Sequence, residues 1–427
     1  MLARSSLRRP AHAAAGAALV AALACASLGC APPPALAPST QPPLRSLRIT
    51  DGDLDRAPRT VSAAEALRDL DDARYAFAHA YAGLDGRPPS PSPRSIALAE
   101  RALRRRAAWR PDDFARLLRD LFAAPDGHLA FGYGGPAPLR LAAAPPRSPL
   151  LPSSGAPPVE LTRTPSGVPV LAVRTFSAAA APALEALPAL AAELRRAPAF
   201  VVDLRGNAGG DYRYAERFAL ALTDAPLRAL DEREVLSVAA AEGRANSARR
   251  RLARGDVPDA ARPRFLDHLA ALERLAAALR ARPRGAAPRV DLTTRGAALR
   301  GRAPGPLAGR AVFLVDGGCA SACEMLLALV RQIPGALVAG QNTRGAMSVG
   351  EVALFRLPRS GVTLSLGTRA FRDPLGGFAE TRGFAPDVRL DGADPVGDAA
   401  ALALGDHLTA TAGTSRRTAS RPAAPPG

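Results

Sequence analysis

The chain contains no lysine. All 56 of its basic side chains, in 427 residues, are arginine. That absence excludes chemistry outright: Schiff-base catalysis, pyridoxal attachment, a Walker-type phosphate lysine and a serine–lysine dyad all need a primary amine. Arginine cannot replace it as a base, because the guanidinium stays protonated at any working pH. Aromatic residues are scarce as well, at 4%, which leaves little for stacking nucleobases. The formal charge of +17 therefore does not argue for nucleic acid. Arginine is enriched together with alanine, proline and glycine while isoleucine is rare, the mark of a coding bias that places arginine at ordinary surface sites. Cysteine occurs four times. Cys319 and Cys323 have no histidine nearby, so no metal is expected, and no organic cofactor is implied.

A chain of this length with 48% hydrophobic residues can bury a sizeable core and form about two domains. Arg4, Arg8 and Arg9 precede an uncharged Ala/Leu/Val-rich stretch from Ala13 to Gly29 that ends at Cys30. A basic segment followed by a short apolar run reads as a secretory signal over 1–29, too short for a membrane span. Ser27-Leu-Gly-Cys30 is similar to a bacterial lipobox, with serine where leucine usually stands. Lipidation of Cys30 and a membrane tether are expected, with plain signal cleavage as the alternative. The expected location is the bacterial cell envelope, periplasmic or lipid-anchored. In such an oxidising compartment the i,i+4 spacing of Cys319 and Cys323 permits a disulfide. Two small buried thiols are the equal alternative.

Residues 31–58 read as a Pro-rich linker. Residues 59–127 read as an N-terminal helical domain, opened by the capping box Ser62-Ala-Ala-Glu65. An α/β core is expected over 128–224 and 301–411. It holds short apolar runs such as Phe200–Leu204 and Ala311–Val315, suited to buried strands, and a single helix from Ala179 to Arg196. The Arg/Ala-rich segment 225–300 reads as a largely helical insertion, and 412–427 as a disordered tail.

Ser321 stands between the apolar run 311–315 with its Gly317-Gly318 turn and an apolar helix. A side chain there projects from a helix N-terminus, where unpaired N–H groups favour a developing oxyanion; the bland reading is a helix cap. A serine nucleophile needs a base, and lysine is absent. His79 and His268 lie in helical segments and His407 near the C-terminus. His128 sits in a turn, behind Asp126-Gly127. Glu380, in a loop after the last strands, is a carboxylate that can orient a base. Asp203-Leu-Arg-Gly-Asn-Ala-Gly-Gly210 is a Gly-rich turn after a buried strand, suited to presenting backbone N–H groups to an anionic oxygen.

Together these segments resemble the S41 serine peptidases. Phe200-Val-Val-Asp-Leu-Arg-Gly-Asn-Ala-Gly-Gly210 is similar to the family's "DLRxNxGG" turn. Gly317-Gly-Cys-Ala-Ser-Ala-Cys-Glu324 is similar to the nucleophile motif "TASAxE", with Cys319 in place of threonine. Ala339-Gly-Gln-Asn-Thr-Arg-Gly345 is similar to the "GxxTxG" segment. Where processing peptidases carry the catalytic lysine, this chain has Ala346. Asp126-Gly-His-Leu129 and Glu380-Thr-Arg-Gly-Phe-Ala-Pro-Asp387 instead resemble the "DGHT" and "ExxGxxPD" segments of the tricorn-like branch. The resemblance implies a ClpP/crotonase-like α/β core preceded by a helical domain, and a Ser321–His128–Glu380 triad. It further implies an oxyanion hole from Ala322 with Gly209 or Gly210, and peptide or protein substrates. A catalytically inactive ligand- or peptide-binding protein on the same scaffold is the alternative, and an esterase or amidase a third reading.

Overall fold

A computed structural model describes residues 58, 60–83, 91–124, 126–133, 139–140, 156–283 and 286–405. The expected signal 1–29, Cys30, the linker up to residue 57, His407 and the tail 412–427 lie outside the described residues. Among the described residues no helix is long and apolar enough to cross a membrane, and no group of three or more His, Cys, Asp or Glu can hold a metal ion.

Continuously buried apolar strands build the centre of the first layer. Twelve strands carry the two main sheets: β1 Ala130–Gly132, β2 Leu139–Arg140, β3 Val159–Arg163, β4 Pro169–Val173, β5 Ala199–Asp203, β6 Asp231–Ser237, β7 Arg289–Thr294, β8 Arg310–Val315, β9 Ala336–Gly340, β10 Val349–Arg356, β11 Thr363–Arg372 and β12 Val388–Arg389. The first sheet has the order β12-β9-β8-β5-β4-β3, parallel except for the antiparallel edge strand β3. On β8, Ala311, Phe313 and Val315 point to one core while Val312 and Leu314 point to another, as period-2 pleating requires of a strand buried on both faces. Helices of the parallel crossovers, including α4 (Leu187–Leu194), α5 (Tyr212–Leu222) and α8 (Ala322–Val330), cover the first face through Leu187, Phe218 and Leu326. Helix α9 (Pro395–Leu404) covers the other with Ala399, Ala400 and Ala403. The fold is α/β, and the carboxyl ends of β5 and β8 lead into the Gly-rich turn and the Ser321 turn side by side, with Asp203 paired to Leu314.

The second sheet is antiparallel, with the order β7-β6-β11-β1-β2 and β10 also on β11. Helices α1 (Ala63–Ala80), α2 (Pro93–Arg104) and α3 (Pro111–Leu121) pack against it. The Ser62–Glu65 capping box opens α1. Phe77 stacks on Phe122 at 4.3 Å between ring centroids, and both lie in one core with Phe131, Val349, Phe355 and Leu364. The helices of 59–127 thus do not close on themselves; they share their core with β1, β6, β10 and β11.

Two local expectations need correction. The helix expected over 179–196 is interrupted into Ala181–Leu184 and α4, because Pro188 lacks the N–H that would continue the hydrogen-bond ladder. The 225–300 segment holds two helices, α6 (Val238–Ala253) and α7 (Arg262–Arg280), but they are framed by β6 and β7, which pair over six residues and join the second sheet through β11. The charges of β6 hid this strand: Glu232 and Glu234 are acceptable in the sheet because Arg369 on β11 meets them at 3.0 and 2.8 Å, a cross-strand pairing that apolar alternation does not reveal.

Candidate active site

Ser321 is the last residue before α8 and has φ 55°, ψ −118°. This backbone region is costly for any residue with a Cβ, and such strain persists where the surroundings enforce it. One restraining group is Glu324, three residues on. Its fully buried carboxylate accepts the N–H of Ser321 (3.0 Å), Gly345 (2.6 Å) and Ala346 (2.9 Å), and the Thr343 hydroxyl (2.7 Å). Burial pushes the Glu324 carboxyl up, against the pull of these four donors. Thr343 Oγ1 in turn accepts the Phe384 N–H at 2.8 Å. One carboxylate therefore ties the serine turn to the 343–346 segment and onward to the loop that follows Glu380. A disulfide joins Cys319 to Cys323 across the same turn, with Cα atoms 5.4 Å apart.

The Gly-rich turn supports Ser321 from the side. Arg205 grips Asp203 with Nε and Nη2 at 2.8 Å each, and Arg174 adds Nη2 at 2.9 Å; burial opposes the charge, but the two guanidiniums hold the Asp203 carboxyl below its ordinary value. Asn207, fully buried, donates Nδ2 to the Val173 carbonyl (2.9 Å), accepts the Ala320 N–H on its own carbonyl (3.0 Å), and accepts the Gly209 N–H on Oδ1 (2.9 Å). The expectation that Gly209 donates to an oxyanion is therefore corrected: its N–H is already given to Asn207. What Gly209 contributes is space. A Cβ there would lie 2.6 Å from the Ala320 carbonyl, 2.8 Å from the Ala322 nitrogen and 2.9 Å from Ser321 Cβ, and φ of +90° already favours glycine. Gly210, beside Phe176 with φ +144°, and Ala322, at the first position of α8, are the backbone donors that remain of the expected set.

On the opposite side, His128 lies in the turn between α3 and β1. Asp126 begins that turn; it is fully buried, its Oδ1 accepts the His128 N–H at 2.7 Å, and the same oxygen lies 3.8 Å from the ring Nδ1. Burial pushes the Asp126 carboxyl up, opposed by the neighbouring imidazole. The buried Tyr81 hydroxyl faces Asp126, and burial with that negative neighbour pushes the phenol far up. Glu380 lies beside the same turn. Its Oε1 accepts the Gly127 N–H at 3.3 Å and its Oε2 the Ser348 N–H at 2.9 Å, so it braces the backbone of the turn that carries His128. Burial pushes Glu380 up to about 7, with Asp126 adding to the shift and the two N–H donors opposing it. Ala346 closes this side: it is buried, and its methyl lies 2.6 Å from where a Cβ on Gly127 would stand.

Ser321 and His128 open onto one cleft of about 780 Å³, together with Gly209, Gly210, Ala320 and Ala346. The far wall comes from the 225–300 segment: Arg244, Ser247, Ala248 and Arg251 share one face of α6, and α7 adds Phe265 and His268. His268, set aside in the sequence as helical, thus reaches the cleft; burial first and Arg244 second push its imidazole down. His79 does not reach it and packs against Tyr75 at 4.4 Å. Among the described residues, the non-glycine residues with positive φ, Ser321, Glu351 and Thr381, are all at this site: two line the cleft and the third follows Glu380. Glu324, Asn207 and Asp126 had no role in the sequence reading. Two of them carried a signal, namely capping-box spacing for Glu324 and an Asx residue two before His128 for Asp126.

The family model for peptidase family S41 matches residues 168–390, more than half of the chain. The matched stretch contains Ser321 and Glu380 and begins after His128. Among solved structures, the chain is similar to a photosystem II D1 C-terminal processing protease (19% identity, 55% of this chain and 48% of that one, TM-score 0.32), to a lipoprotein from Streptococcus agalactiae (12% identity, 81% and 96%, TM-score 0.42) and to the tricorn protease (12% identity, 54% and 16%, TM-score 0.27). It spans about half the length of the first of these. No curated protein matches the chain.

Proposed function

Because the chain belongs to peptidase family S41, we propose that it hydrolyses peptide bonds with Ser321 as nucleophile and His128 as its base. The observation that carries this reading is the strained Ser321 turn at the N-terminus of α8, opening onto the same cleft as the His128 turn. His128 takes the proton from Ser321 Oγ as it attacks the peptide carbonyl and gives it to the departing amine. The N–H groups of Ala322 and Gly210 meet the oxyanion. Water, activated by the same imidazole, then releases the acyl-enzyme. Asp126, 3.8 Å from Nδ1, favours the imidazolium by its charge, and Glu380, bonded to the turn that carries the ring, is the third member of the triad. The lysine of the processing branch has no counterpart here, since Ala346 occupies its position with its methyl against Gly127. In this reading the histidine turn stands where that lysine would have reached.

The substrates are peptides or proteins, and the protein works in the bacterial cell envelope, exported by its first 29 residues and tethered through lipid on Cys30. The basic and then apolar N-terminal sequence supports this location, and the Cys319–Cys323 bond suits an oxidising compartment. The test is turnover of unfolded protein and of a peptide library by the purified enzyme, against simple esters. Peptide cleavage lost in Ser321→Ala supports the reading; ester turnover without peptide turnover, or cleavage surviving that substitution, removes it. For location, a lipid-sized mass on Cys30 in the membrane fraction is the expected result, and a soluble cytoplasmic chain with an intact N-terminus contradicts it.

A further inference from the structure

We infer that the Cys319–Cys323 disulfide is a positioning element for the reaction, fixing the serine and its oxyanion donor relative to each other. The inference rests on Ser321 being the nucleophile. The bond joins the residue two before Ser321 to the residue two after it. The closed ring encloses only Ala320, Ser321 and Ala322. It therefore contains the attacking hydroxyl, the Ala322 N–H, and the Ala320 carbonyl that lies against Gly209. Ser321 is at φ 55°, a region that an unconstrained L-residue leaves readily. A five-residue ring allows few backbone conformations, so the cross-link denies the turn that relaxation.

The ring is anchored to its surroundings at Cys319 and braced internally at Cys323. Cys319 donates its N–H to the Asp316 carbonyl (3.0 Å) and accepts the Arg344 N–H (2.9 Å), and Cys323 donates to the Ala320 carbonyl (3.1 Å). Both cysteines are fully buried, which makes the bond a standing clamp and not a surface switch. A purely stabilising role fits poorly, because the stabilisation a cross-link draws from the unfolded chain grows with loop length, and this loop is about as short as a disulfide can close. Glu324 holds the same turn from beneath through the Ser321 N–H. The two restraints are complementary: Glu324 sets where the turn sits, and the disulfide sets its internal geometry.

The test is the double variant Cys319→Ala/Cys323→Ala, assayed for kcat, KM and the rate of fluorophosphonate labelling, with circular dichroism and Tm alongside. The expected result is a folded protein whose kcat and labelling rate fall together by about tenfold or more, with KM within twofold of wild type. A folded double variant with kcat and labelling within twofold of wild type overturns the inference. Should the double variant not fold, the wild type is reduced with dithiothreitol: the S–S bond breaks, each sulfur gains a proton and an electron, and dithiothreitol closes to its cyclic disulfide. Slower labelling at a native circular dichroism spectrum, recovered on reoxidation, is expected. Reduction is carried out in denaturant, the thiols are counted, and the protein is refolded without oxidant; unchanged labelling of this refolded dithiol form overturns the inference, and so does its failure to refold, because the bond would then be a stabiliser of the whole fold. Ser321→Ala is measured in parallel. If it turns over substrate, the nucleophile assignment fails; if it is inactive while the double variant is fully active, only the present inference fails.

Discussion

Ser321 stands where a parallel strand meets a helix, whereas His128 stands in a turn between a helix and an antiparallel strand. The serine turn is held by a carboxylate with four donors, an asparagine with four backbone partners and a covalent bond. The histidine turn is held by Asp126 from inside and by Glu380 from a loop of the other layer. The difference teaches how the cleft divides its tasks. The serine side fixes a strained backbone, which in the proposed mechanism has hydroxyl and N–H groups in place before substrate arrives. The histidine side sets two buried carboxyls whose charge is costly, Asp126 and Glu380, against the turn that carries the ring.

The strongest way to break this comparison is at the base. His128→Gln is expected to lower kcat by about 10²–10⁴-fold, while His268→Gln, across the cleft, changes kcat by less than about tenfold; steady-state peptide hydrolysis measures both, and the reverse ranking would move the base to α7. Next in size is the orienting carboxylate. Asp126→Asn should lower kcat by about 10²-fold and shift the acidic limb of the pH profile, because the charge beside Nδ1 is lost. Glu380→Gln keeps an acceptor for a backbone N–H and should cost less than about tenfold. If Glu380→Gln is the more damaging, Glu380 and not Asp126 serves the ring. On the serine side, Gly209→Ala should lower kcat by about tenfold with less effect on KM, since the new methyl presses on Ala320, Ser321 and Ala322; full activity would show that this contact yields.

The smallest effect is on stability. The Glu380 carboxyl is pushed up from 4.5 to about 7, first by burial. As pH rises through this window the unfolded chain loses its proton first, so the folded state binds more protons and stability falls, levelling off above about pH 7. The fall is on the order of 1–3 kcal/mol. Chemical denaturation of wild type and Glu380→Gln at pH 5 and pH 8 reads it: wild type should lose stability relative to the variant, and parallel lines would mean that Glu380 is not raised.

The two sides also differ in how much of them the sequence displays. The serine side is local. An apolar run, two glycines, a serine among alanines and a glutamate three residues later all fall within 311–324, and the strand–turn–helix follows from their order. Its partner Asn207 is in a separate motif, but the parallel pairing of β5 and β8 brings that motif alongside. The histidine side is assembled from residues far apart. Glu380 meets Gly127 across 253 positions, and no periodicity encodes that distance. Family resemblance drew attention to both residues, and in the structure Glu380 is bonded to the backbone of the turn that carries the ring. The β6 and β7 frame of the 225–300 segment escaped for a related reason, since arginine partners on another strand make its glutamates tolerable. What the linear pattern misses here is charge compensated from a distance.

The central claim is that Ser321 is a nucleophile activated by His128, and covalent labelling addresses it most directly. Purified protein is treated with a fluorophosphonate across pH 5–9, and the adduct is located by peptide mass analysis. The expected result is one adduct, on Ser321, formed faster as the pH rises through the histidine range. It should be absent in Ser321→Ala and about 10²-fold or more slower in His128→Gln. Equal labelling of wild type and Ser321→Ala, or a rate indifferent to His128, would contradict the account.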